Sequence, residues 1–390
     1  MQFPSVRFHS SAAAARTGRD PRSLSRAYAA GDLVRLRRGV YLPTADWLNG
    51  TALSRYALTT ASLAVCGPAP VLCRETALIA WGLGFARVPS HVHYRTTRRS
   101  AVGSAAPVAL YGDRAAVLAA HSATTPGTSS GARRLPSGFP DARHFELTSS
   151  SVPLRIPNLG LSLLLEPFDV AFPDTLHRLP FADAVVLSDA VLAGRGLHSV
   201  TRSRDALLAL ASGLPSGAAR RRMVAVVSFA DEGAESVGES YSRALMRELG
   251  FELPRLQVWL DRDGRRIARV DFYWPRLRLV GEFDGVMKYT RSKEFSGQAP
   301  AEVLVAEKRR EDEIRALGER VVRWGWDDLM HPQRFGRNPP PGGGPQGGLI
   351  LPRVLDFAPR YGPGQCPKPG AIPARRLPKL LGGCPGGVVH

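Results

Sequence analysis

The stretch "VDFYWPRLRLVGEFDGVMKY" (270–289) decides how this chain is read. Two apolar runs, "VDFYW" and "LVGEF", flank "PRLR" and predict a β-hairpin. Asp271, Glu282 and Asp284 lie inside those runs. Strands disfavour Asp, and like charges facing each other across a ladder destabilise it. With the turn centred between Arg276 and Leu277, Asp271 opposes Glu282, and opposed Cα atoms lie about 4.5–5.5 Å apart. Asp284, two residues beyond Glu282, projects on the same face. Three carboxylates then converge on one spot. Two unit charges about 4 Å apart repel by roughly 4 kcal/mol at an effective dielectric of about 20. Protonation of one acid relieves this by raising its pKa. A divalent cation relieves it more completely, and hard oxygen donors favour Mg2+ or Mn2+.

The neighbouring segments frame this hairpin. "ESVGESYSRALMRELGF" predicts a helix with Val237, Tyr241, Ala244, Leu245 and Leu249 as its apolar stripe and Gly250 as its stop. "LQVWL", the turn "DRDG" and "RRIARVDFYW" follow as strands. A polar loop (290–299) leads to a helix opened by Pro300 and closed by Gly318, and "ERVVRWGW" is a last strand. The order is α-β-β-β-α-β, with the final strand joining the sheet through a crossover. Glu239, in the first helix, offers a fourth carboxylate; alternatively it forms a surface ion pair with Arg243 four residues on. Lys288, in "DGVMKY", could position a water nucleophile or stabilise a pentavalent phosphorane, or be a surface lysine past a strand. Lys308, Arg309 and Arg310 stand on a helix charged along one side, a solvated face with phosphate contact open to it. Residues 239–330 carry 17 of the chain's 34 acidic residues, so the acids cluster around the hairpin.

Residues 234–330 resemble the PD-(D/E)xK nuclease superfamily, and within it the very-short-patch-repair (Vsr-like) endonucleases and their uncharacterised relatives. The carrying residues are Glu239, Asp271 in "RVDF", Glu282 and Asp284 in "GEFDG", and the closing "KRREDEIRALGERVVRW". The resemblance implies a restriction-endonuclease-like αβββαβ fold. It also implies Mg2+ (or Mn2+) on Asp271, Glu282 and Asp284, with Glu239 and Lys288 completing the catalytic set. The superfamily's lysine normally stands two residues after the strand acid, where this chain has Asp284. Vsr-like relatives also depart there.

At the other end, "DPRSLSRAYAAGDLVRLRRGVYLP" (20–43) begins with Asp20 as a helix cap before Pro21, carries Leu24, Ala27 and Tyr28 on one face, and ends at Gly31. "LVRLR", the turn Arg38-Gly39 and "VYL" then form a basic hairpin. A helix followed by such a hairpin is the second half of a winged helix-turn-helix, or a solvated amphipathic helix and hairpin. In the first case the helix, with Arg22 and Arg26, enters the major groove, and Arg35, Arg37 and Arg38 touch phosphates. The stretch resembles the N-terminal domain of AbiEi-like antitoxins of type IV toxin–antitoxin systems, in which "LVRLRRGVY" recurs. The resemblance continues through "VLCRETALIAWGL" (71–83), a helix, and "HVHYRTTRR" (91–99), a strand. It implies promoter DNA and a toxin protein as partners. The helices that normally precede the recognition helix are not recognisable here.

The net charge of +18 points to a polyanionic partner such as nucleic acid. Only 5 of the 52 basic residues are lysines, so part of that charge reflects a GC-rich coding bias. The four cysteines lack zinc spacing and read as free thiols. His91 and His93 share a strand face without a third ligand in sequence reach. Neither a signal peptide nor a membrane span is legible, so a cytoplasmic location is expected. The chain reads as a multidomain α/β (α+β) protein: 1–20 disordered, 21–120 winged-helix and antitoxin-like, 121–150 a Ser/Gly/Pro linker, 151–233 a helical connection, 234–330 nuclease-related, and 336–390 a disordered Gly/Pro-rich basic tail. The expected function is a metal-dependent DNA endonuclease. The alternative is a non-enzymatic, antitoxin-like transcriptional regulator carrying an inactive nuclease-like domain.

Overall fold

The computed structural model describes residues 3–18, 20–105, 108–124, 134–144, 150–196, 200–285, 300–332 and 335. Lys288, the polar loop 290–299 and the basic tail lie outside them. The fold is mixed α/β with three sheets.

The first sheet is built from β1 (His9–Ser10), β2 (Leu33–Arg37) and β3 (Val40–Pro43) in the order β1-β3-β2. Between β1 and β2 come α1 (Ser11–Arg16) and α2 (Arg22–Ala30). Asp20 Oδ1 accepts the Arg22 N–H at 2.9 Å, and Gly31 ends α2 at φ 89°. The expected helix and hairpin thus gain a third strand and a preceding helix, a winged-helix-like arrangement. The expected disorder of residues 1–20 is corrected: Ser10 caps α1, Val6 and Phe8 pack against one core, and Phe3 against another. Those contacts are remote in sequence, so no local periodicity announces them. α3 (Thr44–Asn49) and α4 (Ala52–Ala61) follow.

The second sheet has six strands: β4 (Val71–Leu72), β5 (Val92–Arg95), β6 (Gly103–Ser104), β7 (Asp141–His144), β8 (Val152–Ile156) and β9 (Leu161–Leu165), ordered β6-β7-β5-β4-β9-β8. α5 (Arg74–Ala80) and α6 (Arg114–Thr124) interrupt it in sequence. Here the expected boundaries fail. The supposed linker supplies β7, paired in parallel with β5, and the supposed helical connection opens with the β8–β9 hairpin. Gly, Ser and Pro around β7 resemble a linker because its pairing partner, β5, lies far back in the chain.

α7 (Phe168–Leu176), α8 (Phe181–Leu192), α9 (Arg204–Leu210) and α10 (Gly217–Phe229) form a helical layer. α8 is apolar nearly all round and correspondingly buried. One hydrophobic core runs from Ala77 through these helices into the last unit and ends at Phe335, so no solvated boundary falls at 234.

That last unit comprises α11 (Val237–Glu248), β10 (Arg255–Arg262), β11 (Arg265–Trp274), β12 (Leu279–Asp284), α12 (Pro300–Ala316), β13 (Arg320–Gly325) and α13 (Trp326–Met330). The expected α-β-β-β-α-β order is present, and its sheet runs β10-β11-β12-β13. β12 and β13 are parallel, joined through the α12 crossover. Gly281 leaves room for the Trp324 and Trp274 rings to close over it: a Cβ there would lie 2.6 Å from the Trp324 ring. Among the described residues no helix is long and apolar enough to cross a membrane.

Candidate functional site

The site lies where the β11–β12 ladder opens. Phe272 opposes Gly281, Tyr273 opposes Val280 and Trp274 opposes Leu279, the register expected from the turn. Pairing stops there, one residue short of Asp271 and Glu282. Asp271 Oδ2 instead accepts the Phe283 N–H at 3.0 Å, filling a ladder position with a side chain.

On the other side of β11 the β10 ladder is interrupted at the same level. Leu256 opposes Phe272 and Val258 opposes Val270, while Gln257 between them takes a left-handed φ of 52°. Such strain in a non-glycine residue persists only where the surroundings enforce it. The Gln257 Nε2 donates to Glu239 Oε2 at 2.8 Å, and the Glu235 N–H donates to the same oxygen at 2.9 Å. Ser236 Oγ accepts the Glu239 N–H at 3.1 Å, which fixes the start of α11. Glu239 is therefore buried and oriented beside Asp271. The Asp271 carboxyl is pushed up to about 6, first by burial and then by the charge of Glu239, with Glu282 adding to it and the Phe283 N–H and Arg310 opposing.

Glu282 is also buried, but its charge is balanced. Arg310 Nη2 donates to Oε1 at 2.5 Å and Arg323 Nη2 lies 2.9 Å from Oε2. Arg310 further donates to the Arg269 carbonyl at 3.0 Å, and Arg323 reaches Glu307 and Glu311. Asp284 sits at the exposed end of β12, beside a hollow lined by Trp326 and Asp328. Among the described residues no group of three or more His, Cys, Asp and Glu is arranged to hold a metal ion. Of the expected trio, Asp271 and Glu282 lie close enough for Glu282 to raise the Asp271 pKa, Glu239 joins them, and Asp284 stands at the exposed strand end, while two guanidiniums balance Glu282. Lys308 and Arg309 are exposed, while Arg310 is committed to Glu282.

The alternative of a Glu239–Arg243 surface pair is also corrected. Arg243 Nη2 turns to Asp189 in α8 at 3.0 and 3.1 Å, both residues being buried, and its guanidinium lies 4.3 Å from the Phe229 ring.

Among the described residues the N-terminal arginines do not form one row. Arg22 and Arg26 are exposed on α2, together with Ser25 and Ala29 on the same face. Arg26 lies 3.2 Å from Asp20. Arg35 packs over the Tyr28 ring at 4.7 Å. Arg37 binds Asp141 at 2.9 Å and Ser62 at 2.9 Å, so it is not free for phosphate. Arg38, at the turn, is exposed. His93 meets Glu75 at 3.3 Å and stacks on His144 of β7, and burial pushes the His144 imidazole down to about 4.

Comparison with known proteins adds little to this geometry. No family model matches the chain. Uncharacterized proteins of Mycobacterium tuberculosis strains H37Rv and CDC 1551 are each 35% identical to it over 113 residues, which is 28% of this chain and 38% of either relative. The chain therefore spans well under half the length of the relatives it matches.

Two residues of the site were invisible in sequence. Gln257 is one polar residue in "LQVWL", and Arg323 one basic residue in "VVRWGW". A polar side chain in an otherwise apolar strand was the available signal, and alternation with solvent explains it equally well.

Proposed function

We propose that the C-terminal unit hydrolyses phosphodiester bonds in DNA, with Asp271 and Glu239 as its central residues. The observation that carries this reading is the buried pair itself. Two acids are held together at the break of a sheet, one by a strained glutamine and a backbone N–H, the other by the Phe283 N–H. Burying like charges together costs stability, and such arrangements concentrate at functional sites.

The donor set suits Mg2+ or Mn2+ in one form only. Mg2+ commonly takes one or two carboxylates, keeps several waters and shares a substrate phosphate. Asp271 Oδ1 and Glu239 Oε1 are the oxygens left for it; Glu282 fits poorly because Arg310 and Arg323 engage both its oxygens. A bound divalent ion would supply an activated water and charge stabilisation at phosphorus. The protein's own groups do the rest. Arg310 and Arg323 hold Glu282 beside the acid pair, and in the metal-free protein burial and the charge of Glu239 push the Asp271 carboxyl up. DNA is the proposed partner, with the exposed Arg22 and Arg26 face of α2 supplying affinity within the cytoplasm.

A second reading has its own observation. Glu282, an acid that the nuclease resemblance requires, is neutralised internally, which favours a non-enzymatic DNA-binding regulator working with a toxin protein. Incubation of the full chain with plasmid and oligonucleotide DNA, with Mg2+ or Mn2+, separates the two. Cleavage that disappears in Asp271→Asn and Glu239→Gln supports the first. Equal cleavage by wild type and variants overturns it. Salt-sensitive binding without cleavage supports the second.

A further inference from the structure

A cavity of about 270 Å3 opens between the β2–β3 hairpin and β7, and four arginines line it: Arg35, Arg37, Arg38 and Arg143. Among the described residues its one lining carboxylate is Asp141, and Arg37 binds that group at 2.9 Å. Among the described residues the other three guanidiniums have no ion-pair partner. Arg143 donates to the Tyr94 hydroxyl at 2.7 Å, which fixes its direction. The Arg35 Nε–H is buried and has no hydrogen-bond partner. An unmet buried donor costs roughly 1–3 kcal/mol, so its persistence calls for a physical reason. Leu110 and Phe139 supply an apolar wall.

We propose that this cavity binds a phosphate-bearing small molecule of mononucleotide size, with its phosphate on Arg35, Arg38 and Arg143 and its planar part against Phe139. Three guanidiniums without a carboxylate partner among the described residues, Arg35 on the Tyr28 ring and Arg143 on the Tyr94 hydroxyl, match phosphate oxygens in charge and fork geometry. The volume falls just below the range of about 300–1,000 Å3 typical of small-molecule sites, which suits a ligand of about one nucleotide. A duplex is a poorer occupant. Arg35 and Arg143 are partly buried, so a rigid DNA backbone reaches only the exposed Arg38. The ligand would bridge the winged-helix-like unit and the six-stranded sheet, because Arg35 in β2 and Arg143 in β7 belong to different sheets.

The test is calorimetric titration of the full chain with inorganic phosphate, with each 5′-mononucleotide and with a short duplex. Two variants accompany it: Arg38→Ala, which removes an exposed charge, and Gly138→Val, which narrows the cavity. Gly138 has room, since an added Cβ would meet only Leu110, at 3.9 Å. Saturable binding of a mononucleotide, weakened about tenfold or more in both variants at unchanged thermal midpoint, is the expected result. Binding of phosphate alone at the same affinity would overturn the planar subsite. Absence of saturable mononucleotide binding, affinity unchanged in both variants, or Arg38-dependent binding of the duplex alone would overturn the proposal.

Discussion

The Asp271 carboxylate accepts the Phe283 N–H at 3.0 Å, a bond that a neighbouring strand's carbonyl would otherwise receive. This contact stands where the β11–β12 pairing ends and turns a strand residue into a site residue. It also leaves a carboxyl beside Glu239 under repulsion, and its titration follows from that.

Asp271 has a folded-state pKa of about 6, above its ordinary 3.8. Below about pH 3 both folded and unfolded chains carry the proton and no penalty exists. As pH rises from about 4 to about 6 the unfolded chain ionises first, so stability from this group is lost, and above 6 the loss is complete. Asp271→Asn keeps an acceptor for the Phe283 N–H and removes the charge. It should stabilise the protein by about 1–2 kcal/mol at pH 8, allowing for solvent screening, and by close to nothing at about pH 3. Urea denaturation at the two pH values measures this, and an equal gain at both would contradict it.

Arg310→Met should destabilise the fold. Glu282 would keep Arg323 alone, and a buried carboxylate would lose a charged hydrogen bond, at a cost of about 2 kcal/mol. The double variant Arg310→Met/Glu282→Gln should recover part of that loss. A denaturant cycle over the four proteins reads the coupling.

Asp189 and Arg243 tie α8 to α11 through a buried ion pair. Asp189→Ala would strand the arginine and cost about 3–5 kcal/mol. Because one core crosses from the helical layer into the four-stranded sheet, calorimetry of the wild type should show these parts melting in one transition. Two resolved transitions, with the variant affecting only one, would contradict the shared core.

Gly281→Ala should cost about 1–3 kcal/mol through overpacking. The added methyl would press on the Trp324 ring at 2.6 Å and on Trp274 at 3.0 Å, both fully enclosed. Chemical denaturation followed by circular dichroism measures the loss.

The C-terminal unit was largely legible because its signals are local. Period-two apolar runs, the turn at Asp263 and Gly264, and the break at Pro275 set strand limits and register, and β11 and β12 pair as those signals require. The N-terminal hairpin was legible for the same reason. The second sheet was not: β7 joins β5 across a long separation, and its Gly/Ser/Pro surroundings carry no trace of that pairing. Residues 3–18 likewise gain order only from packing against distant cores.

The amino-acid sequence by itself determined the αβββαβ order, the hairpin register and the presence of acids within it, because these follow from turns and alternation over a few residues. Only the tertiary structure decided what those acids do. Arg310 reaches Glu282 from 28 residues away, and Gln257 reaches Glu239 from 18. Charge balance at a buried carboxylate depends on which side chains surround it in space. Spacing along the chain therefore located the carboxylates, and packing alone left Asp271 and Glu239 as the pair with unbalanced charge.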